Sequence, residues 1–375
     1  MTIEWLAGNR LKGTTAERPS ASLQSPSVGG WVEVGRTTLS SASDKIDVES
    51  LPNKRYYMVL FDHKGQANTN ATIRVRYNNT TNSDFEYAGR YAVNGAGDST
   101  YINELSNFIG QHSEDTSPKF RVSYISNFLN KEKLIYGHMV EQSTAGSGTS
   151  PNRAEDAEKW IDNAVISSIE YDVGASSNSF NAGSEVVVLG WDPADSHTTN
   201  FWEELASVTT SSASDTVDTG SFSQKKYLWI QIYNPAKPTG SNTYAYFNNV
   251  TTGTTHSGRS NTNGLNPSTG SAGSDYQLTG SNGSILNHDP SDPDSGTTPM
   301  FTNMFVINNA DKEKLSIVHS VSGWSSTTGA GQIPARYECV GKWSKTDQAI
   351  TSVQCGGMGT NGMGSGSIIK VWGAN

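Results

Sequence analysis

The feature that most constrains this chain of 375 residues is an internal duplication. Residues 31–44 match residues 202–215 without a gap, since a Trp opens both segments and the run Ser-Ser-Ala-Ser-Asp closes both. The same offset carries residues 54–59 onto residues 225–230, where basic residues precede aromatic and aliphatic ones. A constant offset over such a length is typical of a repeated structural unit, so the chain is predicted to build one fold twice.

The duplication also predicts where the units begin and end. Further pairs follow in unchanged order: Asn127 with Asn308, His138 with His319, Lys159 with Lys342, and Trp160 with Trp343. We therefore predict an N-terminal arm at residues 1–30, a first domain at 31–190, a linker at 191–201 and a second domain at 202–375. The linker is too short to let the domains separate freely, so a constant mutual orientation is expected.

Each unit is predicted to be an antiparallel β-sandwich. Short runs rich in β-branched and aromatic side chains, such as residues 56–61 and 120–125, are bounded by Gly, Asn, Ser or Asp, which is the pattern of strands joined by turns. No alternation of strands and helices suggests a parallel sheet, and residues 154–160 are expected to form one short helix or a turn. The unit is long for an immunoglobulin domain and lacks its cysteines, so a jelly-roll topology is preferred.

Composition narrows the classes of function. Only 17% of the residues are charged and the net charge is −9, so a basic surface for direct nucleic-acid binding is not expected. No apolar run is long enough to cross a bilayer, and the first residues lack the apolar core of a secretory signal, so we expect cytoplasmic synthesis and no membrane partner. Cys339 and Cys355 would then be reduced, although a bond across a hairpin is the alternative.

The chain shows none of the short motifs that carry catalysis: no nucleophile elbow, phosphate-binding loop or zinc helix is present. We therefore expect a non-enzymatic protein without cofactor or metal, although a carboxylate pair of the glycosidase type is assembled in space and leaves no motif. His138 and His319 are expected to be packed in strands. Asp289, Asp292 and Asp294 are oxygen ligands of the kind that calcium prefers, but a solvated acidic loop is the preferred interpretation.

Two segments are candidates for binding. The arm matches nothing in the second unit and combines apolar with basic residues, which would suit an acidic neighbouring subunit; a poorly ordered terminus is the alternative. Its candidate attachment residues are Trp5, Leu6, Arg10, Lys12 and Arg18. The loops in which the second unit differs from the first carry aromatic residues that would stack on sugars. These candidates are Tyr244, Tyr246, Tyr276 and Trp324.

The arm, the Trp-x-Glu strand starts followed by Ser-Ser-Ala-Ser-Asp, and the closing segments 183–190 and 366–373, which open with Gly-Ser and end with Gly, resemble accessory virion proteins of tailed bacteriophages, particularly marine ones. The resemblance covers essentially the whole chain. It implies a jelly-roll module on the particle, with other capsid or tail proteins and further copies of itself as partners. The first hypothesis is a capsid decoration or head accessory protein, located in the virion after assembly in the host cytoplasm and held by its arm. The second is a tail or surface protein that binds a carbohydrate or a host receptor.

Overall fold

A computed structural model describes most of both units. It covers residues 30–67, 73–79, 86–94, 99–103, 107–108, 116–173, 180–192, 200–237, 243–262, 276–281, 283–287, 298–323, 334–357 and 360–375. All regular secondary structure in these ranges is β-strand, which confirms the all-β prediction. The candidate attachment residues of the arm and the acidic loop with Asp289, Asp292 and Asp294 lie outside the described residues.

The first domain is a sandwich of a large and a small antiparallel sheet. Its described strands are β1 (Val32–Thr38), β2 (Lys45–Val48), β3 (Tyr56–His63), β4 (Arg74–Tyr77), β5 (Tyr87–Val93), β6 (Ser99–Asn103), β7 (Asn107–Phe108), β8 (Lys119–Ser126), β9 (Lys133–Glu141), β10 (Asn152–Trp160), β11 (Ile169–Asp172) and β12 (Glu185–Trp191). The large sheet has the order β1-β12-β3-β8-β9-β10-β5-β6, and the small sheet has the order β2-β11-β4-β7.

The strand order is that of a jelly roll with an extended sheet. Strands pair from the ends of the domain inwards, β1 with β12, β2 with β11, β3 with β8 and β4 with β7. These eight strands form the two Greek keys of a jelly roll, and the other four, β9, β10, β5 and β6, widen the large sheet. The predicted β-sandwich is therefore confirmed.

The second domain repeats this topology strand by strand. Its described strands are β13 (Glu203–Thr209), β14 (Thr216–Asp218), β15 (Tyr227–Lys237), β16 (Thr243–Phe247), β17 (His256–Thr262), β18 (Tyr276–Ser281), β19 (Ser284–Asn287), β20 (Thr298–Ile307), β21 (Lys314–Ser322), β22 (Ala335–Trp343), β23 (Val353–Gly357) and β24 (Ile368–Ala374). The sheet orders are β13-β24-β15-β20-β21-β22-β17-β18 and β14-β23-β16-β19. Residues that occupy the same strand position and pairing register in the two domains are equivalent.

One expectation about secondary structure is wrong. Residues 154–160 belong to strand β10, which pairs with β9 on one side and β5 on the other. The side chains of Asp156 and Glu158 point into the domain and are buried, beside the buried guanidinium of Arg121. Because charged residues occupy inward positions, the alternation of apolar and polar residues that identifies a strand is hidden in this segment.

Each sandwich has its own core between its two sheets. In the first domain Phe61 of the large sheet stacks on Tyr171 of the small sheet, with ring centroids 4.5 Å apart. In the second domain Cys339 and Cys355 are both buried and both free. Among the described residues there is no helix that could span a bilayer.

Candidate functional site

The outer face of each large sheet, which turns away from its own sandwich, is the most unusual surface of the molecule. Strands alternate their side chains between two faces, and an outer face in water is normally polar. In the first domain, however, Met58, Leu60, Phe120 and Val122 point outwards and are at most 2% exposed. Something other than water must therefore cover this face.

The cover is the outer face of the large sheet of the second domain. Outward side chains from both domains form a third hydrophobic core, separate from the two sandwich cores. The joining face of domain 1 comprises Leu60, Phe120, Val122, Val140 and Val187. The joining face of domain 2 comprises Tyr227, Phe305, Ile307, Leu315 and Ile317. Burial of each large apolar side chain contributes about 1.5–3 kcal/mol, so the two domains are held as one block.

A polar network closes one end of the junction. The Lys226 ammonium lies 3.1 Å from a carboxylate oxygen of Asp62 and 2.9 Å from one of Glu185. Tyr227 donates a hydrogen bond of 2.7 Å to Glu185, and the Asn309 amide donates one of 3.3 Å to Asp62. Burial alone would raise the pKa of Glu185, but hydrogen bonds from neighbouring hydroxyl and ammonium groups outweigh it and lower that pKa to about 2. Glu185 is thus an ionised anchor at this end.

Two equivalent histidines meet near the middle of the junction. The Nδ1 atom of His138 lies 2.6 Å from the Nε2 atom of His319, and the ring centroids are 4.5 Å apart. Burial lowers the pKa of both imidazoles, that of His319 to about 4. Both rings are therefore neutral at neutral pH, and an N–H of one ring donates a hydrogen bond to a nitrogen of the other. The expectation that these histidines are packed in strands is correct in its geometry, and it missed that they contact each other.

A carboxyl pair lies beside the histidines. Arg153 places one guanidinium nitrogen 2.6 Å from Glu155 and 3.1 Å from Glu338, the residue equivalent to Glu155. Burial raises the pKa of Glu155 to about 8, with Arg153 opposing the rise and Glu338 adding to it, so Glu155 is protonated at neutral pH. A half-open cavity of about 290 Å³ lies next to this pair and is lined by residues of both domains.

Perturbed histidines and carboxyls are also found in catalytic sites, but these groups contact one another across the domain boundary. Each is equivalent to its partner, as expected where two copies of one unit pack together. The described residues contain no cluster of His, Cys, Asp or Glu side chains that could hold a metal ion. The geometry is that of a junction between two domains in which buried polar groups of one domain contact those of the other.

The proposed sugar-binding aromatics are placed differently from the expectation. Tyr244 and Tyr246 lie on strand β16 of the small sheet, not in a loop; Tyr244 is 9% exposed in the core, and Tyr246 packs against it. Their ring centroids are 6.3 Å apart. The expectation of exposed loop aromatics is therefore wrong for these two, because both lie on a strand, where Tyr244 is buried and Tyr246 is half-buried. Tyr276 begins strand β18, and Trp324 lies outside the described residues.

The joining faces were not predicted, although the sequence contains a signal for them. Residues 56–61, 186–189 and 304–307 are continuous apolar runs and not alternating ones. A strand that is apolar at every position is buried on both faces. Such a run inside an antiparallel sandwich indicates that the outer face of its sheet is covered as well.

No protein-family model and no curated protein matches this chain. Among solved structures, the chain is similar to mouse laminin alpha1 chain domains LG4-5 with 9% identity over 91% of this chain and 89% of that one, at a TM-score of 0.18. It is also similar to a xylan beta-1,4-xylosidase from Bacillus halodurans, with 8% identity over 93% of this chain and 99% of that one, at a TM-score of 0.20. The similarity to the Sputnik virophage structure has 8% identity over 91% of this chain and 84% of that one, at a TM-score of 0.14. Similarities at this level carry no argument about function.

Proposed function

We propose that this protein is a non-enzymatic structural component of a bacteriophage particle, and specifically a capsid decoration or head accessory protein. The observation that supports the proposal is the third hydrophobic core, which joins two jelly-roll sandwiches into one block. A block of this kind presents a large surface of constant shape, which is what a particle component needs. The polar groups at the junction contact one another, and this favours an assembly role over a catalytic one.

The arm at residues 1–30 is the proposed attachment to the shell. It joins apolar Trp5 and Leu6 to the basic residues Arg10, Lys12 and Arg18, whereas the chain as a whole carries a net charge of −9. A basic apolar segment would dock in an acidic groove of a capsid subunit, and the acidic body would then be directed away from it.

The test uses purified particles of the phage that encodes the chain. Mass spectrometry is expected to find the protein in the particles, and electron cryomicroscopy is expected to place it on the head. A chain without residues 1–30 retains every described strand and is expected to be missing from the particles. A chain in which only Trp5 and Leu6 are changed to alanine should show a partial loss. Absence of the intact protein from particles would overturn the proposal.

Binding of a carbohydrate or receptor is the second candidate function, and one observation favours it. The first domain carries an aromatic groove of about 370 Å³ that is lined by Trp31, Tyr56, Tyr136 and Trp191, among others. Aromatic faces in such a groove are able to stack on sugar rings. A glycan array and a host-cell binding assay test this candidate, and the absence of binding in both would overturn it.

A further inference from the structure

The exposed large apolar side chains of the described residues are confined to two patches. Each patch lies at one end of a large sheet and includes outward residues of its strands. The exposed face of domain 1 comprises Phe128, Leu129, Leu134, Tyr136 and Ile161, and the exposed face of domain 2 comprises Tyr233, Phe301 and Val321. Contiguous exposed apolar residues of this kind mark an interaction site.

The exposed face of domain 2 is in part equivalent to the joining face of domain 1. Phe120 pairs with Val140 across strands β8 and β9, and the equivalent residues Phe301 and Val321 pair across β20 and β21. Phe120 and Val140 are at most 1% exposed because domain 2 covers them. Phe301 is 43% exposed and Val321 is 41% exposed. Domain 2 therefore exposes the counterparts of these two residues, whereas Gln231, Asn303 and Lys370 stand where domain 1 has Leu60, Val122 and Val187.

The reverse relation holds for the exposed face of domain 1. Leu134 and Tyr136 are 59% and 42% exposed, whereas their equivalents Leu315 and Ile317 are at most 2% exposed in the junction. The aromatic groove of about 370 Å³ lies on this face, beside Leu134 and Tyr136. Each chain thus uses one of two complementary surfaces per domain internally and exposes the other.

We propose that a second copy of this chain covers these surfaces. The exposed face of domain 2 in one copy docks on the exposed face of domain 1 in the next, in the way that the two joining faces meet within a chain. Such a contact is head-to-tail, so it repeats until the copies close a ring or extend a filament. The contact forms in a pure protein sample and does not require a phage particle.

Residue pairs that differ between the junction and the exposed faces support a second copy of the chain as the partner. The junction contains the polar contact of Asp62 with Asn309 at 3.3 Å. The equivalent of Asp62 is the exposed Tyr233, and the equivalent of Asn309 is the exposed Phe128. The pair is thus polar in the junction, and both of its equivalents on the exposed faces are aromatic, so the two exposed faces complement each other.

A second pair at the same end differs in a related way. Glu185, which binds Lys226 at 2.9 Å, is equivalent to Ile368, and Lys226 is equivalent to Arg55. Arg55 forms its ion pair within its own domain, with Asp192 at 3.4 Å. The new contact therefore needs no acidic partner from the second copy, which presents an isoleucine there.

The experiment measures the molar mass of the full chain by analytical ultracentrifugation over a range of concentrations. The parent protein is expected to associate beyond the monomer. Leu134→Glu and Phe301→Glu each place a carboxylate on one exposed face and should weaken association by about 100-fold or more, since burial of an unpaired charge is strongly unfavourable. Ala42→Glu and Ala213→Glu are the matched controls, because they place the same charge at equivalent exposed positions of the two domains outside both faces. Equal melting temperatures verify folding.

A mixture of the two face variants provides the decisive measurement. Leu134→Glu retains an intact exposed face on domain 2, and Phe301→Glu retains one on domain 1, so the mixture should form a one-to-one dimer and nothing larger. A parent protein that is monomeric at all concentrations would overturn the proposal. A face variant that dimerises by itself would also overturn it, because that result indicates pairing of like faces. So would association that begins only after deletion of residues 1–30, because that result indicates that the arm covers one face.

Discussion

The two domains share one topology but place opposite chemistry at the same point of their cores. In domain 1, Arg121 is fully buried and forms a two-pronged ion pair with Asp156, with a distance of 2.6 Å between Nη2 and Oδ2. Burial lowers the pKa of Arg121, but Asp156 raises it by more, so the guanidinium stays charged. In domain 2 the equivalent residues are Thr302 and Cys339, both neutral and buried. One fold thus accommodates an ion pair or a neutral pair at this point.

The neighbouring residues explain how both solutions fit. Gly137 lies against the Arg121 guanidinium, and a Cβ atom at this position would overlap it. The equivalent of Gly137 is Val318, which lies diagonally across strands β20 and β21 from the smaller Thr302. Domain 1 combines the large Arg121 with a glycine, and domain 2 combines the small Thr302 with a valine, so the two cores fill a similar volume at this point. Charge and volume have to change together in a close-packed core.

The largest effect is expected when one charge is removed from domain 1. Asp156→Ala leaves the Arg121 guanidinium buried without its main partner, and loss of one member of a buried pair costs about 3–5 kcal/mol. The control Cys339→Ala removes the equivalent neutral side chain and should cost far less. Urea unfolding followed by fluorescence and circular dichroism measures both variants. Equal losses would show that the ion pair has no special role in domain 1.

A valine at the glycine should also destabilise domain 1. Gly137→Val forces the Arg121 guanidinium out of its place, and overpacking of this kind costs about 1–3 kcal/mol. Addition of Arg121→Thr removes the overlap but leaves Asp156 buried without its partner, so the double variant should remain destabilised, by less than the sum of the two single changes. A double-mutant cycle measures this coupling, and fully additive effects of the two changes would contradict the exchange of volume.

Transfer of the whole domain 2 arrangement into domain 1 should cost little. Replacement of a buried ion pair by neutral residues of matched volume is often neutral or stabilising, so R121T/G137V/D156C/E158G is expected within about 1.5 kcal/mol of the parent. The same variant without G137V leaves a cavity and should be less stable. Thermal unfolding compares the two. If the four-residue variant is as unstable as Asp156→Ala, residues farther away must set the choice between the two cores.

The junction adds a pH dependence that neither core shares. In the folded protein the pKa of Glu155 is raised to about 8 from its usual 4.5. Its contribution to folding stability is therefore fully present below the pKa of the unfolded state and is lost as pH rises through 8. Between about pH 6.5 and 9 the histidines are neutral, because burial holds their folded pKa values below the usual 6.5. Stability should fall over this interval, and Glu155→Gln should flatten the curve. A parent protein with constant stability would contradict the assignment.

The smallest effect concerns the two thiols. Burial raises the pKa of both, that of Cys339 to about 12, so both are protonated and shielded in the native protein. Labelling by a thiol reagent therefore reports opening of domain 2, since both cysteines lie there. Under native conditions Asp156→Ala should label at the parent rate, because it opens the other core. Faster labelling would mean that the two cores unfold together.

Local sequence pattern was sufficient to predict part of this structure. The duplication, the strands around Tyr57 and Val122, and the sandwich were predictable, because alternation and turn residues act over a few positions. Strand β10 was not predictable, since Asp156 and Glu158 are inward residues whose partner Arg121 lies on another strand. The burial of Tyr244 was also missed, because it depends on which strands flank β16.

The amino-acid sequence by itself determined that one β-sandwich is built twice, since repeated residues at a constant offset impose the same local preferences. Only the tertiary structure decided which ends of the two outer faces join and which remain exposed. Leu134 and Leu315 are the same residue at equivalent positions, yet one is 59% exposed and the other 2%. The difference arises because domain 1 packs on Leu315, whereas Leu134 lies outside the junction, and that packing depends on residues far apart in the chain.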